Sequence, residues 1–288
     1  MKVTRVADPI LPLAQHLLPV RIAGLSLALL KATALELAIL AGHVLLYPSG
    51  IIQERRNASC PDPAPEDAAQ LPAEAKPPVV LLHGFIDNRS VFVLLRRSLA
   101  QHGRHRVESL NYSPLTCDIR TAADLLGRHI EEICERTGSD RVDVVGHSLG
   151  GLIARYYVQR LGGDLRVRTL VTLGTPHGGT RVAPLANAHP IVRQMRPGSE
   201  LIEELSGPAP GCRTYFVSFW SDLDHLMDPL ESACVEHPDL RGENIQVSGI
   251  GHLALPLHPT VASKIRQALD TVRPGDPSVR RSGQVTVA

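Results

Sequence analysis

The stretch VVGHSLGG, Val144 to Gly151, reads as the end of a strand, a sharp turn and the start of a helix. It carries the pattern G-x-S-x-G, with Gly146 and Gly150 two residues to either side of Ser148. In so tight a strand-to-helix turn, a side chain at either flanking position collides with neighbouring backbone, so glycine is what fits. The serine then stands at the tip of a nucleophile elbow, its hydroxyl presented above the sheet. The competing reading is an ordinary glycine-rich turn in which Ser148 caps the helix.

Working outward, short apolar runs alternate with helical spacing. Upstream lie the strand candidate PVVLLH, the helix SVFVLLRRSLAQHG closed by Gly103, and the strand candidate HRVESLNY. DIRTAADLLGRHIEEICERTG is a helix with Asp118 as N-cap and Gly138 past its end. RVDVVGH leads into the elbow, and GGLIARYYVQRLG leaves it as a helix. VRTLVTLG, RTYFVSF and NIQVSG follow as strands, and PTVASKIRQALDTV closes as a helix. This alternation predicts an α/β protein, a mostly parallel sheet with helices on both faces. Ligands of such sheets sit at the carboxyl ends of the strands, where every motif described below falls.

A chain of 288 residues, 43% apolar and 20% charged, holds one large domain with appendages. A net charge of +1 gives no field that argues for nucleic acid. The phosphate-cradling patterns GxxxxGK[ST] and GxGxxG are absent. Cys60, Cys117, Cys134, Cys212 and Cys234 show no CxxC and no zinc spacing, so no metal is expected. They read either as buried thiols or as two disulfides, Cys117 with Cys134 and Cys212 with Cys234, leaving Cys60 over.

Residues 1–56 form an N-terminal segment with an apolar helix, IAGLSLALLKATALELAILAGHVLLY, from Ile22 to Tyr47. It is long enough to span a bilayer, but Lys31 and Glu36 interrupt it. Three arrangements fit: a membrane anchor, an amphipathic helix on the membrane surface, or a helix packed on the protein's own body. The first two predict membrane association. With Lys2, Arg5 and Arg21 ahead of it, a spanning segment places an anchored body outside the cytoplasm; free secretion is the alternative. Residues 57–77 are rich in Pro, Ala and acid and read as a linker, 78–273 as the catalytic domain, and 274–288 as a flexible tail.

A serine hydroxyl needs a base. His252, in SGIGHLALP, follows the strand NIQVSG at a glycine-flanked turn, where a base can reach a neighbouring strand's tip. His177, His189, His225, His237 and His258 compete, and read as solvated or capping histidines. The acid is expected after RTYFVSF, in SFWSDLDHLMDP. There Asp224, followed by Leu226 and Met227 to pack the loop, is preferred as the orienting acid, and Asp222 is the runner-up, otherwise a turn cap. Asp228 reads as an N-cap ahead of Pro229. For a developing oxyanion, the turn LLHGF directs the N–H of Phe85, and the elbow helix offers the N–H of Leu149.

HGF, GHSLGG, VTLGTPHGGT and GIGH in this order resemble bacterial, particularly small actinobacterial, triacylglycerol lipases and esterases of the α/β-hydrolase fold, over roughly residues 78–272. The resemblance implies Ser148 as nucleophile, His252 as base, Phe85 and Leu149 as oxyanion donors, no organic cofactor, and a lipid or ester substrate. The same triad could serve an acyltransferase or a thioesterase, and an inactive tethered module is the rival from another class. The stretch HPIVRQMRPGSELIEELSG could cap the site or simply pack.

Overall fold

The computed structural model describes residues 34, 36 and 38, and then 76–85, 89–110, 112, 118–182 and 189–271. Residues 274–288 and nearly all of 1–56 and 57–77 lie outside the described residues, as does most of the apolar stretch 22–47. At 34, 36 and 38 the chain is helical. Among the described residues no helix is long and apolar enough to cross a membrane.

Six strands form one fully parallel sheet: β1 (Val79–Leu82), β2 (Val107–Leu110), β3 (Val142–His147), β4 (Val167–Leu173), β5 (Tyr215–Ser221) and β6 (Arg241–Val247), in the order β2-β1-β3-β4-β5-β6. The helices are α1 (Val93–Gln101), α2 (Ile119–Thr137), α3 (Leu149–Arg160), α4 (Pro190–Gln194), α5 (Glu200–Ser206) and α6 (Pro259–Asp270). The period-2 alternation of each strand divides the core. Val80, Leu82, Val144, Leu170 and Phe216 face α2, α3 and the short α4 and α5. Leu81, Val145, Val171, Val217 and Phe219 face α1 and α6. The chain winds outward in one direction from β1 to β2 and in the other from β3 to β6. The carboxyl ends of β1 and β3 therefore flank the switch point, where a crevice opens without crossing connections.

Local signals match this arrangement. Asp118 accepts from Thr121 N–H at 2.7 Å and caps α2, and Gly138 ends it. β6 begins three residues earlier than the run NIQVSG, because its polar start pairs with β5 from Tyr215↔Arg241 onward along an exposed edge. Ile191, Leu201 and Leu205 of the stretch with a capping or packing role are buried in the core against α2 and α3, so α4 and α5 pack.

The disulfide expectation is corrected. Cys134, Cys212 and Cys234 are free thiols; Cys60 and Cys117 lie outside the described residues. Cys134 sits on the buried face of α2, where it acts as a small apolar side chain. Burial pushes the Cys212 and Cys234 thiols above their ordinary range, which disfavours the reactive thiolate.

At the opposite edge from the motifs, a buried ionic cluster ties the layers. Asp143, fully buried on β3, meets Arg104 at 3.0 Å and Arg168 of β4 at 2.6 Å. Both guanidinium groups also donate to Leu269 O at the end of α6, and Arg104 reaches Asp270 at 3.0 Å. Lys76, beside the first strand, binds Asp270 as well. Removing one partner of a buried pair leaves the others uncompensated. Asp143→Ala is therefore expected to lower unfolding free energy by about 3–5 kcal/mol, read from urea denaturation midpoints, while leaving the carboxyl edge of the sheet unchanged.

Candidate active site

Ser148 follows β3 with φ 51° and ψ −119°, alone among the described non-glycine residues in having positive φ. It occupies the N-cap position of α3, yet its side chain makes no capping hydrogen bond, which removes the plain helix-cap reading. The strain is held by crowding. A Cβ on Gly146 would lie 2.6 Å from Gly151 backbone, and one on Gly150 would lie 2.4 Å from Leu82 O and 2.7 Å from His83 O. Gly151, which the sequence reading left without a role, has Thr175 Oγ1 where its Cβ would be, and that hydroxyl donates to Ser148 O at 3.0 Å.

The same crowding sets the start of α3 directly on the end of β1. Leu149, buried, is the first residue of α3, and the first N–H groups of a helix have no intrahelical acceptor. Phe85 lies at the bend that follows His83 and Gly84. This turn is braced from β2's far end. The His83 ring stacks on Tyr112 with centroids 4.5 Å apart, and the Tyr112 hydroxyl donates to His83 O. His83 Nδ1–H donates to Gly84 O at 2.9 Å. Tyr112 was invisible as a site residue because only the parallel pairing of β2 with β1, Leu82 opposite Leu110, brings it beside His83.

On the other side of the elbow stand His252 and Asp224, both buried, with His252 Nδ1 2.8 Å from Asp224 Oδ2. The carboxylate can only accept, so Nδ1 carries the proton and Nε2 is left with its lone pair. Asp224 Oδ1 accepts from Leu226 N–H at 3.0 Å, so both carboxylate oxygens are engaged. His147, the residue before Ser148, donates from Nε2 to His252 O at 3.1 Å, and the two rings lie 4.8 Å apart. The pair is thus seated against the elbow itself. Gly174, at the end of β4, admits it: a Cβ there would lie 2.7 Å from Asp224 Oδ2 and 2.9 Å from His252 Nδ1.

The other acids of the loop have different work. Asp222 accepts from Gly249 N–H at 2.8 Å, tying the end of β5 to the loop that leads to His252. Asp228 is not an N-cap. The following turn is 3₁₀, Leu230–Ala233, with Pro229 itself at the cap position, and Asp228 lies 3.8 Å from Arg181 instead. Of the two residues expected to pack the loop, Met227 is buried but Leu226 is 37% exposed; it serves through its main-chain N–H.

The competing histidines separate as well. His177 Nε2 donates to Thr172 Oγ1, which donates to Ser218 Oγ, which donates to Ala233 O. Complete burial, then the nearby Arg155 charge, hold the His177 imidazole well below its ordinary pKa and therefore neutral. Burial also pushes Arg155 down to about 10, leaving it charged at neutral pH, where it donates to His177 O and Leu205 O and ties that loop to α5. His258 accepts from Thr260 N–H at the start of α6, and His237 accepts from Asp239 N–H. Among the described residues no cluster of histidine, cysteine and carboxylate side chains could hold a metal ion.

Residues 77–205 match the family described as the alpha/beta hydrolase fold. The chain has the α/β-hydrolase fold. Over 124 residues it is 31% identical to a triacylglycerol lipase of Burkholderia plantarii, covering 40% of this chain and 34% of that one. Over 119 residues it is 30% identical to a triacylglycerol lipase of Pseudarthrobacter phenanthrenivorans, covering 38% and 36%. The chain thus spans about a third of the length of these curated relatives. The mature lipase BlEst2 of Bacillus licheniformis superposes with a TM-score of 0.57 at 17% identity, covering 70% of this chain and 95% of that one. Gly174 bounds the space around the histidine–carboxylate pair. Gly174→Ala adds a methyl group in that space and forces a side chain into φ +51°, costing ~1–2 kcal/mol for the conformation alone. The expected outcome is loss of the downfield ¹H resonance of His252 Nδ1–H, measured by NMR, in a protein that still folds.

Proposed function

We propose that the protein hydrolyses carboxylic esters, of the lipid or acylglycerol class, through an acyl-enzyme on Ser148. The observation that carries the reading is the buried Asp224–His252 pair, 2.8 Å apart and seated against His147, next to the strained serine. Its relatives' printed names, triacylglycerol lipases, point to the same bond type.

In this mechanism His252 Nε2 takes the Ser148 proton as the hydroxyl oxygen attacks the ester carbonyl. Asp224 keeps the other ring nitrogen protonated, orients the ring and stabilises the imidazolium that forms. The N–H groups of Phe85 and Leu149 receive the tetrahedral oxyanion, helped by the positive end of α3. Collapse expels the alcohol, which takes the proton from His252. Water then attacks the acyl-enzyme with His252 again as base and releases the acid.

Three substitutions give separate readings. Ser148→Ala is expected to lower kcat on p-nitrophenyl esters by roughly 10⁶-fold with the fold intact by circular dichroism. Asp224→Asn is expected to cost about 10⁴-fold through the wrong tautomer of His252, whereas Asp222→Asn leaves most of the rate, since it loses only a loop contact. Ester turnover that survives in Ser148→Ala would refute the assignment.

A further inference from the structure

Glu36 interrupts an apolar run, where an ionised carboxylate is costly unless it finds donors. It finds them on the catalytic body. Its Oε2 accepts from Leu253 N–H at 3.0 Å and its Oε1 from Ala254 N–H at 3.1 Å. These are the two residues directly after His252. Ala254 is the N-cap of the 3₁₀ turn Leu255–Leu257, so the carboxylate caps that turn from a distant segment and satisfies N–H groups that the turn itself leaves open. On the near side of His252, a Cβ on Gly251 would lie 2.4 Å from Glu36 Oε1, so the carboxylate fills the space that this glycine leaves. Glu36 thus meets the protein's own body.

We propose that Glu36 is a positioning residue for His252, and this rests on His252 being the base. The loop from Val247 to His252 contains two glycines and has little stiffness of its own. Three restraints surround the imidazole: Asp224 holds the ring, His147 holds the main-chain carbonyl, and Glu36 holds the backbone that leaves the residue. Charge-assisted hydrogen bonds to two consecutive N–H groups fix the direction of that backbone more firmly than neutral ones do. The Nε2 lone pair is aimed by the same geometry. Glu36 lies 217 residues before Leu253, so this restraint is supplied by the N-terminal segment.

The test uses the full chain with Glu36→Ala, Glu36→Gln and Ser148→Ala side by side. Turnover of a soluble p-nitrophenyl ester, the rate of covalent labelling of Ser148 by a fluorophosphonate, and the thermal midpoint are measured together. A misaimed base lowers kcat and the labelling rate in Glu36→Ala by up to about 100-fold, with KM unchanged. Glu36→Gln keeps one carbonyl acceptor and is expected to recover part of both rates. Wild-type kcat and labelling in both variants, with Ser148→Ala inactive, would overturn the positioning role and leave the triad standing. A loss of rate that merely follows a loss of folded protein, without recovery in Glu36→Gln, would overturn it too. Turnover by Ser148→Ala would remove the base that the proposal depends on.

Discussion

The close approach of α3 to the ends of β1 and β3 is the constraint on which the site depends. A Cβ at Gly150 would lie within 2.4 Å of Leu82 O, so the helix can begin where it does only because that atom is missing. The contact places a residue with positive φ at the tip of β3 and the first N–H groups of α3 beside the turn after β1. Sterics of this kind are nearly all-or-none, since a backbone carbonyl cannot give way as a flexible side chain can. The elbow therefore stores its strain in a place that cannot relax without moving two central strands.

The molecule divides its tasks between the two edges of one sheet. At the amino edge, Asp143, Arg104 and Arg168 lock strands and the last helix with buried charge. At the carboxyl edge, polar groups are arranged in single file, each oriented by the next: Leu226 N–H to Asp224, Asp224 to His252, and His147 to the carbonyl of His252. The first arrangement resists motion through several crossed ion pairs. The second directs one lone pair. Between them lies the apolar sandwich of Val144, Val145, Val171 and Phe219, whose uniform burial keeps the two edges in fixed relation.

What the amino-acid sequence disclosed was local or periodic. Alternating runs revealed the layered sheet, and Asp118 and Gly138 marked their helix ends because capping is decided within a few residues. The glycines of the elbow were legible for the same reason. Long-range neighbours outside the motifs were not. Gly174 ends an ordinary strand, and its need to be glycine comes from Asp224 and His252, which arrive from two later loops. Tyr112 looked like the tail of a strand, and His147 like the variable position of a motif. The first half of β6, Arg241 to Asn244, is polar because it forms an exposed edge, so hydrophobic period could not find it. Three aspartates in one loop differ only in what they meet: Gly249 N–H, the His252 ring, or Arg181.

The ionic cluster at the amino edge also joins the beginning and the end of the stretch 76–271. Lys76 precedes β1 and Asp270 closes α6, and their side chains meet at 3.0 Å. A domain whose ends touch is a closed loop in all but covalent bond. A short connector between these two points would let the stretch 76–270 be cut elsewhere, as at the turn around Gly162 between α3 and β4, with strand order kept.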